Sequence, residues 1–319
     1  MMWMQKPQHQ QGFTLTELMI ALVLGSFLVA GVVGVYVSNI HTGQVQQRLM
    51  SSQQASQIGF QLLSRDAMHA GFSGCANMIP QRVVNVLNPP LAWWAIWTAG
   101  IRGYEQGAVP QFAGAGIVPL AGADGVQLMY GRGTSASIVT HNVVGNPPMV
   151  INQNVAGIVA NDIVLACDSK MAVIFQVTAI AGNNISHAVG AGSPGNASLN
   201  FGFGANGANF SQSLSSDAGT VMPLESVGWF VGTNSDGNSL YRVALVAGQM
   251  RTEEILPGVE NLQIQYLSRG AANYVNANAV ADWEQVVALR ATLTLSNDTK
   301  MPVAAGLRTF TQVINLRNR

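Results

Sequence analysis

Gly12-Phe13-Thr14-Leu15-Thr16-Glu17-Leu18-Met19-Ile20-Ala21-Leu22 opens the stretch whose reading decides the architecture. From Phe13 to Gln47 the only formally charged residue is Glu17, and residues 18–37 (LMIALVLGSFLVAGVVGVYV) are almost unbroken apolar sequence. At about 1.5 Å of rise per residue, about 20 residues of helix cover the roughly 30 Å hydrocarbon core of a bilayer. The segment therefore reads as a transmembrane helix. The polar leader before it, MMWMQKPQHQQG, carries Lys6 and is placed on the cytoplasmic side. A secretory signal peptide would have a shorter core closed by a small-x-small site, and neither is present. A plain single-pass anchor fits the length but leaves Glu17 unexplained. A carboxylate inside an apolar helix costs about 2.5–3.5 kcal/mol and is usually paired and functional.

Past Val37 the sequence turns polar but stays compatible with a helix. Val45, Leu49, Ile58, Leu62 and Ala67 recur at roughly helical intervals, and Gly71 supplies a stop. This predicts an amphipathic continuation of the same helix over 38–70. From Gly71 onward short β-branched runs alternate with Gly, Asn and Pro, predicting strands over 126–130, 163–166, 173–180, 227–231, 240–246, 259–267 and 286–295. Leu262, Ile264 and Tyr266 alternate with Gln263 and Gln265, and Leu289, Ala291, Leu293 and Leu295 with Arg290, Thr292 and Thr294, as half-buried antiparallel strands require. TNSDGNS between two of these runs predicts a hairpin with Asp236-Gly237 at its tip. Residues 79–116, with Trp93, Trp94 and Trp97, and the Gly-rich residues 188–213 read as long loops. The fold class is α+β, a long N-terminal helix packed on an antiparallel β head. It divides as leader 1–12, transmembrane helix 13–37, amphipathic spine 38–70 and head 71–319.

Hydrophobic residues make up 48% and charged residues 9% of the 319, with 15 basic against 15 acidic. That balance offers no basic stripe for nucleic acid and no acidic tail. Cys75 and Cys167 lie far apart without metal-ligand spacing, so they read as a disulfide if the chain leaves the cytoplasm, with two buried free thiols as the alternative. Gly202-Phe203-Gly204-Ala205-Asn206-Gly207 fits a dinucleotide-binding pattern but follows no strand and opens no helix. The five histidines show no metal or triad spacing, and no nucleophile elbow is present. The sequence predicts no enzyme, no cofactor and no metal site.

Residues 12–22 resemble the prepilin peptidase motif of type IV pilins and type II secretion pseudopilins: a glycine ends the leader, Phe starts the mature chain and Glu is its fifth residue. The resemblance implies cleavage after Gly12 by a membrane aspartyl peptidase, N-methylation of Phe13 and an assembly role for Glu17. Arg65-Asp66-Ala67-Met68-His69-Ala70-Gly71-Phe72-Ser73-Gly74-Cys75, the run 259–266 with Asp282-Trp283 and 286–290, and the ending Val313-Ile314-Asn315-Leu316-Arg317-Asn318-Arg319 resemble the PilW family of minor pilins. That family primes type IV pilus assembly and is placed at the pilus tip with an adhesin. The resemblance implies, as partners, other minor pilins (PilV-, PilX- and FimU-like), the major pilin, a PilY-type tip adhesin, the prepilin peptidase and the inner-membrane assembly platform. It also implies an inner-membrane location with a periplasmic head before assembly, and the cell-surface pilus afterwards. The runner-up is a J-class minor pseudopilin of a type II secretion system. A membrane-anchored binding module is a third reading, and no ligand constellation in the head supports it.

Overall fold

The computed structural model describes residues 14–75, 83–88, 92–114, 116–141, 148–168, 171–190, 192–199, 201, 219–246, 248–297 and 305–318. The chain divides into two compact units, residues 1–51 and 52–319. One helix, α1 (Leu15–His69), supplies all the described structure of the first unit and the first element of the second.

Over residues 18–37 of the first unit the helix is apolar on every side. Leu18, Leu22, Phe27, Leu28, Val32 and Val37 all stand exposed. A helix without a polar face has no orientation that suits water, and this one is long and apolar enough to cross a membrane.

In the second unit α1 becomes one-sided. Phe60, Leu63, Ala67 and Ala70 are buried at intervals of three and four, with Ser56 and Asp66 on the same face. This corrects the stripe expected from sequence. Ile58 is 56% exposed and Leu62 only half-buried, because the core face runs through 56–60–63–67–70 and includes a charged residue that a hydrophobicity count rejects. The helix ends where expected. Phe72 N–H donates to His69 O, and Gly71 takes φ +81°, the left-handed conformation that glycine reaches without a Cβ penalty.

Among the described residues the head follows as sixteen strands. The first ten are short: β1 (Val83–Asn85), β2 (Ile101–Tyr104), β3 (Val118–Pro119), β4 (Gly125–Gly131), β5 (Ala136–Thr140), β6 (Met149–Ile151), β7 (Ile163–Cys167), β8 (Ala172–Gln176), β9 (Ala179–Ala181) and β10 (Asn184–Ser186). The rest are longer: β11 (Thr220–Asn234), β12 (Gly237–Val246), β13 (Gln249–Pro257), β14 (Val259–Ser268), β15 (Val286–Leu295) and β16 (Thr309–Asn315). Thirteen form one sheet organised on β11, whose first residues pair with β7 and whose remainder is flanked by β4 and β12. A second sheet runs β14-β15-β16. The pairings are antiparallel except β1 with β8. One core contains Phe60, Leu63 and Ala67 of the helix, Val126, Leu128, Val227 and Trp229 of the large sheet, and Leu262, Ile264, Leu289 and Leu293 of the small one.

The alternations read in 259–267 and 286–295 hold, with Leu262, Ile264, Tyr266, Leu289, Ala291 and Leu293 buried. The hairpin also holds: Asn234 pairs with Gly237, and Asn234 Oδ1 accepts from the N–H groups of Asp236 and Gly237. Three expectations change. The run 173–180 is two strands, since Val177 and Thr178 leave the ladder between β8 and β9. Residues 79–116 are no long loop but contain β1, β2 and a 3₁₀ turn at Trp93–Ala95. Trp97 is buried there and Trp93 meets Phe112 edge-on with ring centroids 4.7 Å apart. Part of the Gly-rich segment is tied down, because the buried Asn196 donates to Gln176 O while its Oδ1 accepts from Gln176 N–H. The glycine motif at 202–207 lies outside the described residues.

Candidate assembly site

Gly12 and Phe13 lie outside the described residues, and the description begins one residue later with Thr14. Thr14-Leu15-Thr16-Glu17 carries the Thr-x-x-Glu spacing of a capping box. Thr14 N–H and Thr14 Oγ1 both donate to Glu17 Oε2, at 3.0 and 2.9 Å, and Glu17 N–H faces Thr14 Oγ1 at 3.4 Å. The carboxylate thus closes over the first turn of α1, where the unpaired N–H groups of a helix favour negative charge. Local sequence explains how an acidic side chain can begin an apolar helix, which the hydrophobic pattern alone did not. Below it, Ala21, Gly25, Ser26 and Ala30 leave a shallow groove between Leu18, Leu22, Val29 and Val33.

The other end of α1 is fastened to the head by charge. Asp66 is fully buried, and each carboxylate oxygen has a close partner. Oδ1 accepts from Tyr130 Oη at 2.9 Å, Oδ2 from Trp229 Nε1 at 3.0 Å and from Arg242 Nε at 2.7 Å. Arg242 Nη2 also donates to Glu225 Oε1 at 3.1 Å. One carboxylate on the helix therefore gathers side chains from β4, β11 and β12. Burial disfavours the charged guanidinium, but the hydrogen bond and attraction of Asp66 outweigh it and hold Arg242 protonated. Burial and the Asp66 carboxylate together push the Tyr130 phenol up, so it stays a neutral donor. In the sequence Asp66 stands out only within the Arg65-Asp66 signature. Its structural role follows from its place on the buried helical face.

Cys75 and Cys167 form a disulfide with Cα atoms 6.1 Å apart, joining the segment after α1 to the end of β7. Gly71 N–H donates to Met129 O, and a Cβ on Gly100 would meet the Gly71 backbone at 2.2 Å, so the chain passes the sheet closely here. The carbonyls that end the helix are met from the far end of the chain. Asn318 Nδ2 donates to His69 O at 3.2 Å and Met68 O at 3.3 Å. Nothing in the spacing of the sequence pointed to that contact. Two histidines that read as scattered are also brought together, with His141 Nε2 2.9 Å from His187 Nε2.

Comparison with known families places two matches on this framework. Residues 7–33 match the model of the prokaryotic N-terminal methylation motif, covering Gly12, Phe13, the capping box and the apolar half of α1. Residues 228–314 match the model of the type IV pilus-assembly protein W family, from the middle of β11 almost to the end of β16, including Trp229 and Arg242. A search of curated proteins gave no match. Set on a long N-terminal helix and an antiparallel β head, the two matches are those of a PilW-like type IV pilus minor pilin.

Proposed function

We propose that this chain is cut after Gly12, methylated at Phe13 and held in the bacterial inner membrane by residues 13–37 with its head in the periplasm. It then primes a type IV pilus, staying near the tip with other minor pilins and an adhesin. The observation that carries this reading is the joining, through α1, of a methylation motif to a head whose last third matches the pilus-assembly family. Glu17 is the proposed docking group. In a fibre its carboxylate would meet the methylated ammonium of Phe13, on its own chain or a neighbouring subunit, and an unmatched register would leave both charges in lipid. The partners would be the major pilin, companion minor pilins, the peptidase and the assembly platform. The role is structural, as that of the matched family is, and no catalytic step is assigned to the head.

Deletion of the gene, scored for surface pili and secreted exoproteins together, tests the reading. Loss of pili with normal secretion is the expected outcome. Normal pili with lost secretion would overturn it in favour of a secretion pseudopilin.

A further inference from the structure

Beside the end of α1 and the end of β4 lies a cleft of about 300 Å³, lined among others by Arg65, His69, Arg132, Glu225 and Arg242. Three guanidiniums and one carboxylate, Glu225, line it, while Asp66 lies beneath with both oxygens already committed to Tyr130, Trp229 and Arg242, and Glu253 stands 3.7 Å from Arg242 Nη1. Glu225 is engaged as well, through Arg242 at 3.1 Å. The rim arginines are the loosely held part. Arg65 and Arg132 have side chains 56% and 52% exposed, and their Nε atoms lie 3.6 and 3.5 Å from the carboxylates of Asp66 and Glu225. Among the described residues neither guanidinium makes a hydrogen bond, which leaves its N–H donors open to a further acceptor. Gly133, at φ +74° with open space around its missing Cβ, keeps the mouth low enough for another backbone to approach.

We propose that this cleft receives an acidic side chain, aspartate or glutamate, from a companion subunit of the fibre. The inference rests on the pilus reading above and adds a head-to-head contact to the one proposed at Glu17. A guanidinium fork matches a carboxylate in shape and charge, and two such forks converging on one pocket hold it against water far better than a lone surface pair. The filled floor leaves room only near the rim, which suits a side chain projecting from a protein surface.

The test uses the full-length chain in piliated cells, with a photoreactive benzophenone residue in place of the exposed Thr134 beside the rim. Cross-linking to an acidic segment of another pilus subunit is expected, mapped by mass spectrometry. Arg65→Gln with Arg132→Gln should lower it about tenfold or more, the loss of one or two charge-assisted hydrogen bonds. Thermal unfolding of the purified full chain in detergent should be unchanged in that variant, which separates docking from folding. Arg132→Glu, combined with the mapped acidic residue changed to Arg, should restore the cross-link. An undiminished cross-link and normal pili in the double variant would overturn the proposal while leaving the pilus reading intact. Succinate that raises the unfolding temperature of the wild type but not of the double variant would also overturn it, by assigning the cleft to a small free acid. Normal pili after deletion of the whole chain would instead remove the pilus reading first.

Discussion

Arg242 Nε lies 2.7 Å from Asp66 Oδ2 across 176 residues of sequence, and the two side chains are 9% and 0% exposed. This contact ties the spine helix to β12. A buried pair of this kind adds little net stability by itself, but breaking it strands a charge. Asp66→Ala and Arg242→Met should therefore each cost about 3–5 kcal/mol, while the double change Asp66→Leu with Arg242→Met should cost clearly less than their sum. Denaturant unfolding of the full chain in detergent, followed by tryptophan fluorescence, measures this. Trp229 donates to Asp66 and so reports on the same site. Strictly additive losses would contradict the coupling.

The Cys75–Cys167 bond closes a loop of 92 residues. In the chain-entropy model such a loop is worth about 4–5 kcal/mol, less any strain. Cys75→Ser with Cys167→Ser should lose stability of that order. Thiol labelling of the denatured, unreduced wild type should mark neither cysteine, and labelling at both would remove the bond.

His141 and His187 share a 2.9 Å Nε2–Nε2 contact, and both rings lie against Phe201 with centroids 4.9 and 4.8 Å away. Burial pushes both imidazoles below their usual range, and the neighbouring His187 helps take His141 down to about 3. An unfolded histidine takes up a proton near pH 6.5, whereas this folded pair resists it. Stability from the pair is thus complete above about pH 6.5 and declines as pH falls toward about 3, at up to about 1.4 kcal/mol per pH unit for His141. Thermal midpoints taken from pH 7 to pH 4 should drop less steeply in His141→Leu with His187→Leu than in the wild type. Equal slopes would refute the assignment.

Tyr266 is buried beneath Trp283, with ring centroids 4.9 Å apart, and its hydroxyl has no hydrogen-bond partner among the described residues. A buried donor left unmet costs about 1–3 kcal/mol. Tyr266→Phe should therefore leave stability unchanged or raise it by about 1 kcal/mol in the same denaturant assay. A loss of more than about 1 kcal/mol would mean that the hydroxyl has a partner.

The elements legible in the sequence were those with one strong period. The apolar run gave α1, the alternations at 262–266 and 289–295 gave two strands of the small sheet, and Asp236-Gly237 marked a hairpin. What escaped was set by contacts distant in sequence. Residues 221–226 are buried on both sides within β11 and show no alternation to read, and Pro223 among them argues against a strand. β13 and β16 are edge strands with mostly exposed residues, so their composition resembles loop. Asp66 and Arg242 were invisible as a pair because hydrophobic patterning discards charges. Glu17 stands out as an anomaly in the apolar run, but its Thr14 cap lies in a three-residue spacing that hydrophobicity does not register.

That cap allows two roles of Glu17 to be separated. As the glutamate of a capping box it needs only an acceptor at its third helical position, which glutamine also supplies. As a docking group it needs a negative charge to meet an ammonium in lipid. Glu17→Gln keeps the acceptor toward Thr14 and removes the charge, whereas Glu17→Val removes both. If charge carries the docking, both variants should still be cleaved and inserted, yet both should lower the number of pili and the recovery of companion minor pilins. Thr14→Ala gives the converse case, opening the cap at a cost of about 1 kcal/mol while leaving the carboxylate free to pair, and should reduce piliation less than either. Pili counted by electron microscopy and cross-linking of membrane fractions read all three together. Wild-type piliation in Glu17→Gln with loss in Glu17→Val would show that helix capping matters and the charge does not, and the docking role would fall.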